Sequence, residues 1–268
     1  MAAGFALLAA VVSAVFAVAV LRRYVARGRV NRALLWWGIA LVMFVVASVM
    51  LVVGEIAGWS APVFRAFYVF GGALTVPWLA LGTVETVARD RTTLRVLGVV
   101  ALVVGGYALS KLLGDAEIYR VTAALGLAWG VLLIIAPARL AVLGSVVLVA
   151  LFSALALLAV GTTELTASVP VERLPARDLF PAEVRGFSVA GSQVGALLLI
   201  VGAVVSAVRM RGRDVPYLIW GNLIIAAGVI VAAAGGFIRQ VPAIAIANAV
   251  GVSIMYVGFV RTTHRPAP

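Results

Sequence analysis

The sequence predicts an all-α bundle of transmembrane helices, on the evidence of its composition and of the length of its apolar stretches. Of the 268 residues, 64% are hydrophobic and 12% are charged, whereas a soluble domain has about 45–50% apolar and about 25% charged residues. So few charges cannot provide the polar surface that a core of this size needs in water. Most of the surface is therefore expected to contact lipid, and the whole chain to form a single transmembrane domain.

The apolar residues fall into nine stretches, each close to the length of about 20 residues that crosses a bilayer as a helix. Short hinges rich in arginine, glycine or proline separate these stretches. The predicted spans cover residues 4–21, 34–54, 64–88, 94–113, 121–136, 140–160, 189–208, 217–237 and 241–260.

The boundary between the fifth and sixth spans depends on a single hinge, Pro137-Ala138-Arg139. Without this hinge, a run of about 40 mostly apolar residues would form one helix, which is too long for a bilayer core about 30 Å thick. Proline lacks a backbone N–H and clashes with the preceding helical turn. We therefore expect the chain to reverse direction at Pro137.

The charges predict the orientation of the bundle. No charged residue precedes the first apolar stretch, and Arg22 and Arg23 follow it directly. A signal peptide has the opposite arrangement, so we expect an uncleaved anchor with its N-terminus outside. With nine spans, the inner hinges hold fourteen basic and three acidic residues, and the outer hinges hold seven of each. The whole net charge of +11 then lies on the inner side, as the positive-inside rule requires, and the C-terminus is predicted to be cytoplasmic.

The inner basic residues are Arg22, Arg23, Arg27, Arg29, Arg32, Arg89, Arg91, Arg95, Arg139, Arg209, Arg211, Arg213, Arg261 and Arg265. The inner acidic residues are Glu85, Asp90 and Asp214. Because the hinges account for the basic excess, no basic face is left for a nucleic acid, and no nucleic-acid partner is expected.

Several kinds of chemistry are disfavoured by the residues that the sequence lacks. The chain has no cysteine, and its one histidine is His264, in the polar tail. Thiolate metal sites, histidine-bound zinc or haem and a serine–histidine nucleophile are therefore not expected. No nucleotide-binding glycine loop occurs. We expect no metal, no cofactor and no enzymatic activity.

Residues 161–187 differ from the spans because they combine seven charged residues with three prolines. On the predicted orientation they form an extracytoplasmic loop within the domain. Two interpretations stay open: a lid over a central cavity, or a solvated connector. A short interfacial helix is expected within residues 182–187.

Spans one to three resemble spans seven to nine, which suggests a parallel internal repeat of the kind found in transporters. The recurring pairs are Arg27-Gly28-Arg29 with Arg211-Gly212-Arg213, Trp37-Gly38 with Trp220-Gly221, and Val76 and Gly82 with Val252 and Gly258. The alternative is that basic hinges and interfacial tryptophans simply recur in membrane proteins.

Two charged residues within or beside the spans are candidate binding residues, because a charge in a bilayer is costly. Glu85 lies four residues before Arg89, a spacing at which the two side chains can pair on one helical face. Lys111, the only lysine, is expected to reach the outer headgroups or to pair with Asp115. Glu55 and Arg65 are expected to pair or to face water.

Uncharged residues complete the candidates. Gln193, Asn222 and Asn248 lie within spans, where side-chain amides hydrogen-bond to neighbouring helices or line a binding site. Pro77 frees a backbone carbonyl and kinks its helix, so that Pro77 and Trp78 either frame a cavity or pack against a neighbour.

Other residues are assigned to helix packing. Gly126 and Gly130 form a G-x-x-x-G pair on span five, which allows close approach of another helix. Ser145 and Ser153 on span six are expected to form hydrogen bonds between helices. Trp36, Trp37 and Trp220 are expected at the inner membrane interface.

Residues 64–83, read as FRAFYVFGGALTVPWLALGT, and residues 181–259, with Arg185, Gly221-Asn222-Leu223 and Gly258-Phe259, carry a resemblance. They resemble uncharacterised polytopic membrane proteins of actinobacteria and of relatives of Thermus. The resemblance implies a multi-pass protein of the bacterial cytoplasmic membrane. Since that family has no assigned activity, it implies no catalytic or binding residue.

Two functions stay open. The first is transport or handling of a neutral small molecule or lipid, in a cavity lined by spans three, seven, eight and nine. The second is a non-transporting membrane subunit, such as a scaffold, sensor or assembly partner. No acidic residue lies at mid-span depth, which disfavours an ion-coupled pump. Membrane lipids are the expected partners, and both a membrane-protein partner and a homo-oligomer are left open.

Overall fold

Nine membrane-length helices form the described part of the chain, as predicted. The structure, a computed structural model, describes residues 2–172, 174–175, 177–211, 215–235 and 241–263. Within these ranges all nine helices are long and apolar enough to cross a membrane. The helices are α1 (Ala2–Ala26), α2 (Arg32–Ala57), α3 (Ala61–Val87), α4 (Arg91–Leu112), α5 (Arg120–Ile135), α6 (Ala138–Thr162), α7 (Ala182–Arg209), α8 (Pro216–Gly235) and α9 (Val241–Thr263). These lengths and compositions are those of an integral, multi-pass membrane protein.

The reversal between α5 and α6 occurs at the predicted hinge. Helix α5 ends at Ile135, and Pro137 is the N-cap residue of α6. Arg91 at the start of α4 donates from its guanidinium to the carbonyl oxygens of Ile134, at 2.5 Å, and Ala136. These contacts satisfy carbonyl groups that the end of α5 leaves without helical partners.

Some residues of the predicted spans, hinges, outer segment and tail lie outside the described residues. They include Phe237, Gly236, Gly212-Arg213, Asp214, Arg173, Arg239, His264 and Arg265. The largest difference from a predicted helix start is in α7, which begins at Ala182, so residues 182–187 form its first turns and no separate interfacial helix.

Helix α3 has an irregular middle, whereas the sequence predicted only a kink at Pro77. Two α-helical parts, Ala61–Phe67 and Thr75–Val87, flank a π-helical segment, Tyr68–Leu74. At its end, the backbone N–H and the hydroxyl of Thr75 both donate to the carbonyl oxygen of Phe70, the hydroxyl at 2.6 Å. This segment shifts the register of side chains around α3 by one residue.

Six helices form a closed ring. Around it, α1 contacts α2, α2 contacts α3, α3 contacts α7, α7 contacts α8, α8 contacts α9, and α9 contacts α1. If α1, α2 and α3 are exchanged with α7, α8 and α9, respectively, the order of contacts around the ring stays the same. A parallel two-fold repeat requires this arrangement. Gly82 approaches Trp37 of α2, and its predicted equivalent Gly258 approaches Gly221 of α8.

Helices α4, α5 and α6 lie outside the ring, against α3 and α7. A Cβ atom on Gly126 of α5 would lie 2.8 Å from the Cα atom of Gly105 on α4, and one on Gly130 would lie 2.8 Å from the carbonyl oxygen of Gly98. The predicted packing role of Gly126 and Gly130 is therefore confirmed. Ser145 and Ser153 of α6 also form the predicted hydrogen bonds between helices, accepting from Trp129 at 2.9 Å and from Trp78 at 3.0 Å.

Residues of the 161–187 segment pack against the helix ends nearest to them. Phe180 is 1% exposed and stacks on Phe64 of α3 at 5.3 Å. The N–H of Trp59 donates to the carbonyl oxygen of Val171 at 2.9 Å. Gly58, which precedes Trp59, has φ 93° and ψ 153°, a conformation that is essentially restricted to glycine. The described part of this segment therefore combines packed residues, such as Phe180, with exposed residues, such as Val171.

Candidate binding cavity

A narrow cavity lies inside the six-helix ring, and every helix of the ring contributes to its wall. Its volume is about 50 Å³, compared with about 10–15 Å³ for a single water-sized probe. The space therefore accepts a thin chain of atoms and no bulky ring system. The wall residues are Phe16, Trp37, Leu41, Leu79, Thr83, Thr86, Val87, Leu199, Gly202, Ala203, Ser206, Asn222, Ile225, Met255 and Phe259.

A larger vestibule of about 500 Å³ adjoins this cavity. It lies where α1, α3, α7 and α9 end and where α2 and α8 begin. The cavity and the vestibule share Trp37, Thr86, Asn222, Ile225 and Phe259, so the two spaces are direct neighbours. The other vestibule residues are Arg23, Arg27, Asn31, Ala33, Leu34, Met210, Tyr217, Leu218 and Thr262.

The vestibule is basic. Arg23 and Arg27 line it from α1, and no acidic residue does so among the described residues. The Arg23 guanidinium lies 5.8 Å from the ring centroid of Phe259, a cation–π distance. In the described ranges, no carboxylate is within ion-pair distance of Arg23 or Arg27. Among the described residues, none of the 161–187 segment lines the cavity or the vestibule, so the lid interpretation gains no support from these two spaces.

Most polar groups on the cavity wall have partners within the bundle. The Trp37 indole donates to the carbonyl oxygen of Leu79 at 3.0 Å, and this carbonyl also accepts from the hydroxyl of Thr83 at 3.3 Å. The hydroxyl of Thr86 donates to Gly82 at 2.9 Å. The side chains of Asn222 and Ser206 make no hydrogen bond to another described residue, which leaves them available to a ligand.

The predicted candidate residues are dispersed, and Asn222 is the one of them that lines the cavity. Gln193 on α7 and Asn248 on α9 are half-buried and contribute to neither wall. Trp78 donates to Ser153 of α6 and lies 5.6 Å from the ring of Trp36. Its contacts are those of a packing residue.

Pro77 packs against α7 and is buried. A Cβ atom on Gly195 would lie 3.0 Å from the nitrogen of Pro77, and a Cβ atom on Gly191 would clash with the carbonyl oxygen of Ala73. The Ala73 carbonyl is the group that would accept from residue 77 in a regular helix, and proline has no N–H to donate. Pro77 therefore serves the close approach of α3 and α7 in this structure, and it does not frame the cavity.

Three ion pairs that the sequence allowed, two of them as one of two alternatives, do not form among the described residues. Glu85 does not pair with Arg89, and it accepts instead from the Trp36 indole at 3.4 Å. Lys111 does not pair with Asp115, and its ammonium lies 5.4 Å from the ring centroid of Tyr107. Spacing along a helix permitted both pairs, but an aromatic neighbour provides the contact in each case.

Glu55 and Arg65 do not pair either. Glu55 accepts from the Trp59 indole at 3.3 Å. The Arg65 guanidinium donates to the carbonyl oxygens of Val160, Gly161 at 3.2 Å and Thr163 at 2.7 Å. Arg65 thus caps the C-terminal end of α6, where helical carbonyls have no partners within the helix.

Most of the wall was not identified from the sequence. Phe16, Leu41, Leu199 and Met255 are apolar residues on helices that are apolar on all sides. A signal was present for Arg23 and Arg27, because their i, i+4 spacing places both on one face of α1.

Comparison with models of known protein families, with curated proteins and with solved structures finds no match for this chain. The resemblance to polytopic proteins of actinobacteria and of relatives of Thermus therefore stays a prediction.

Proposed function

We propose that this protein transports or handles a lipid or another small molecule without a requirement for ion coupling. One observation carries the proposal: the ring of six helices encloses an apolar cavity that adjoins a vestibule at one end of the bundle. A concave, mostly apolar site with a few polar groups is the usual form of a small-molecule site. Asn222 and Ser206 supply such polar groups here.

The proposed orientation places the vestibule on the cytoplasmic side of a bacterial inner membrane. The described arginines of the inner hinges lie at the same end of the bundle as Arg23. They include Arg22, Arg29, Arg32 and Arg139. The positive-inside rule favours the cytoplasm for that set. A ligand would then enter from the cytoplasm or from the inner leaflet.

The test compares two serines of α7. Ser206 lines the cavity, whereas Ser192 is exposed and lines neither space. We expect Ser206→Leu to fill the narrow cavity and Ser192→Leu to leave it open. Each variant is purified from its native membrane in a mild detergent, and native mass spectrometry with solvent extraction identifies any co-purifying small molecule.

The expected result is a bound molecule in the wild type and in Ser192→Leu, and its loss in Ser206→Leu. Equal amounts of the molecule in all three proteins, or none in any of them, contradict the proposal. A specific protein partner recovered with all three variants, together with an empty cavity, would favour the non-transporting subunit.

A further inference from the structure

We infer that the vestibule and cavity together bind a single acyl chain with an anionic headgroup, with the headgroup at Arg23 and Arg27 and the chain directed toward the cavity. This inference rests on the proposed function and names its ligand class. It depends on the unequal chemistry of two adjoining spaces.

The vestibule favours an anion. Arg23 and Arg27 are one helical turn apart on α1 and contribute two positive charges to its wall. Arginine donates in a planar fork that matches a carboxylate or a phosphate. Since no described acidic residue lines the vestibule and none forms an ion pair with either guanidinium, their donors are available to a ligand.

The cavity favours a thin apolar chain. Its deep wall consists of residues such as Phe16, Leu41, Leu199 and Met255. A volume of about 50 Å³ accommodates only a few water-sized groups, at about 10–15 Å³ for each probe. A polar ligand would lose its hydration there, because most polar wall groups already have partners within the bundle.

Phe259 contributes to both the anion-binding vestibule and the apolar cavity. It belongs to the walls of both spaces, and its ring lies 5.8 Å from the Arg23 guanidinium and 5.3 Å from the ring of Phe16. An acyl chain that passes Phe259 therefore places its headgroup beside Arg23. A free inorganic anion would use the arginines and leave the cavity unused.

Trp37 provides the readout, because its side chain lines both spaces. The probe is stearate carrying bromine atoms in mid-chain, which quench tryptophan fluorescence at short range. Its methyl ester removes the charge, and unbrominated stearate serves as the reference. The protein is the full chain in a nonionic detergent, and Trp37→Phe identifies the part of the quenching that reports on this site.

Substitutions at three arginines, Arg22, Arg23 and Arg27, test the headgroup. We expect Arg23→Gln with Arg27→Gln to weaken stearate binding by about tenfold or more, since the headgroup would lose its hydrogen bonds to two charged groups. Arg22→Gln removes the same charge from an exposed side chain that lines neither space, and it should leave binding unchanged. Should the double variant fail to fold, the exposed Arg27→Gln alone is used, together with Arg23→Lys, which keeps the charge.

The outcomes separate the two proposals. The inference holds if stearate quenches Trp37, the ester binds more weakly, and only the vestibule arginines matter. If ester and acid bind alike and are insensitive to those arginines, the anionic headgroup is wrong and the proposed function stands. If neither probe quenches Trp37, the acyl-chain inference fails, and the proposed function is decided by the co-purification test with Ser206→Leu. If inorganic phosphate binds as tightly as stearate, the site recognises free anions and the acyl-chain inference is overturned.

Discussion

Arg209, the last residue of α7, forms an ion pair with Asp90 in the hinge between α3 and α4. Asp90 also caps α4: its carboxylate accepts from the N–H of Thr92 at 3.2 Å and from the hydroxyl of Thr93. The Asp90 carboxylate, in the hinge after α3, thus caps α4 and also pairs with α7. Substitution of Asp90 and substitution of Arg209 should therefore differ in their effect on stability.

We expect Asp90→Ala to destabilise the protein more than Arg209→Gln does. Loss of a helix N-cap costs about 0.5–2 kcal/mol. The ion pair contributes about 0.2–1 kcal/mol at most, because the side chains of Arg209 and Asp90 are 43% and 32% exposed. Thermal unfolding in detergent at low and high salt checks this. Both variants lose the ion pair, so the loss in Arg209→Gln should shrink at high salt, whereas most of the larger loss in Asp90→Ala should persist. A loss in Asp90→Ala that disappears at high salt would contradict the capping role.

The contact between α3 and α7 should not tolerate a side chain at Gly191. A Cβ atom there would clash with the carbonyl oxygen of Ala73, and backbone has little freedom to move away. We expect Gly191→Ala to destabilise the bundle by about 1–3 kcal/mol, the typical cost of overpacking. Gly106 on α4 has no atom within 4 Å of its Cβ position, so Gly106→Ala is the matched control. A melting temperature for Gly191→Ala equal to that of Gly106→Ala would refute the close contact.

The hydrogen bond from Trp129 to Ser145 joins α5 to α6 in a fully buried setting, since both residues are 0% exposed. Ser145→Ala should cost about 0.6–2 kcal/mol, the range for hydrogen bonds between membrane helices. The hydroxyl of Ser192 donates only within its own helix, to Ser188, so Ser192→Ala should have a smaller effect. Unfolding in mixed micelles compares the two, and a larger loss at Ser192 would count against this assignment.

Arg65 should hold the end of α6 in place. Its guanidinium donates to three carbonyl groups at residues 160, 161 and 163, and the compact ammonium of lysine lacks this planar fork. We expect both Arg65→Lys and Arg65→Met to speed amide hydrogen exchange at residues 160–166, with the larger effect in Arg65→Met. Exchange at α8, distant in sequence and not in contact with Arg65, serves as the internal control. Unchanged exchange at residues 160–166 would show that the cap is dispensable.

The proposed orientation can be tested directly because the chain has no cysteine. Val30, 82% exposed in the hinge between α1 and α2, and Val171, 62% exposed in the 161–187 segment, accept single cysteines. A membrane-impermeant maleimide should label Val171→Cys in intact spheroplasts, and should label Val30→Cys only after lysis. The reverse pattern would invert the topology and place the vestibule outside.

Helix number and boundaries were predictable because lipid requires long apolar stretches and excludes charged hinges. The position of the cavity was not predictable. In a soluble helix, polar residues mark the exposed face, but here lipid-facing Leu155 and cavity-facing Leu199 are chemically alike. The π-helical segment of α3 was not predicted for a related reason. The pair Gly71-Gly72 is typical of close helix packing, but the shift in side-chain register depends on neighbouring residues of α2 and α7. The ion pairs failed where a tryptophan or tyrosine offered a contact that sequence spacing cannot show.

The contact between α1 and α9 has a consequence for biosynthesis. Phe16 of α1 packs against Tyr256 and Phe259 of α9, at 5.4 Å and 5.3 Å between ring centroids. Because α1 is synthesised well before α9, it meets this partner only when α9 arrives. Until then, the aromatic face of α1 is open to acyl chains in the bilayer, and the cavity has no complete wall. A chain that stops before α9 would therefore enter the membrane with a lateral gap in its ring, and quality-control proteases that survey the bilayer would encounter it as an unfinished protein.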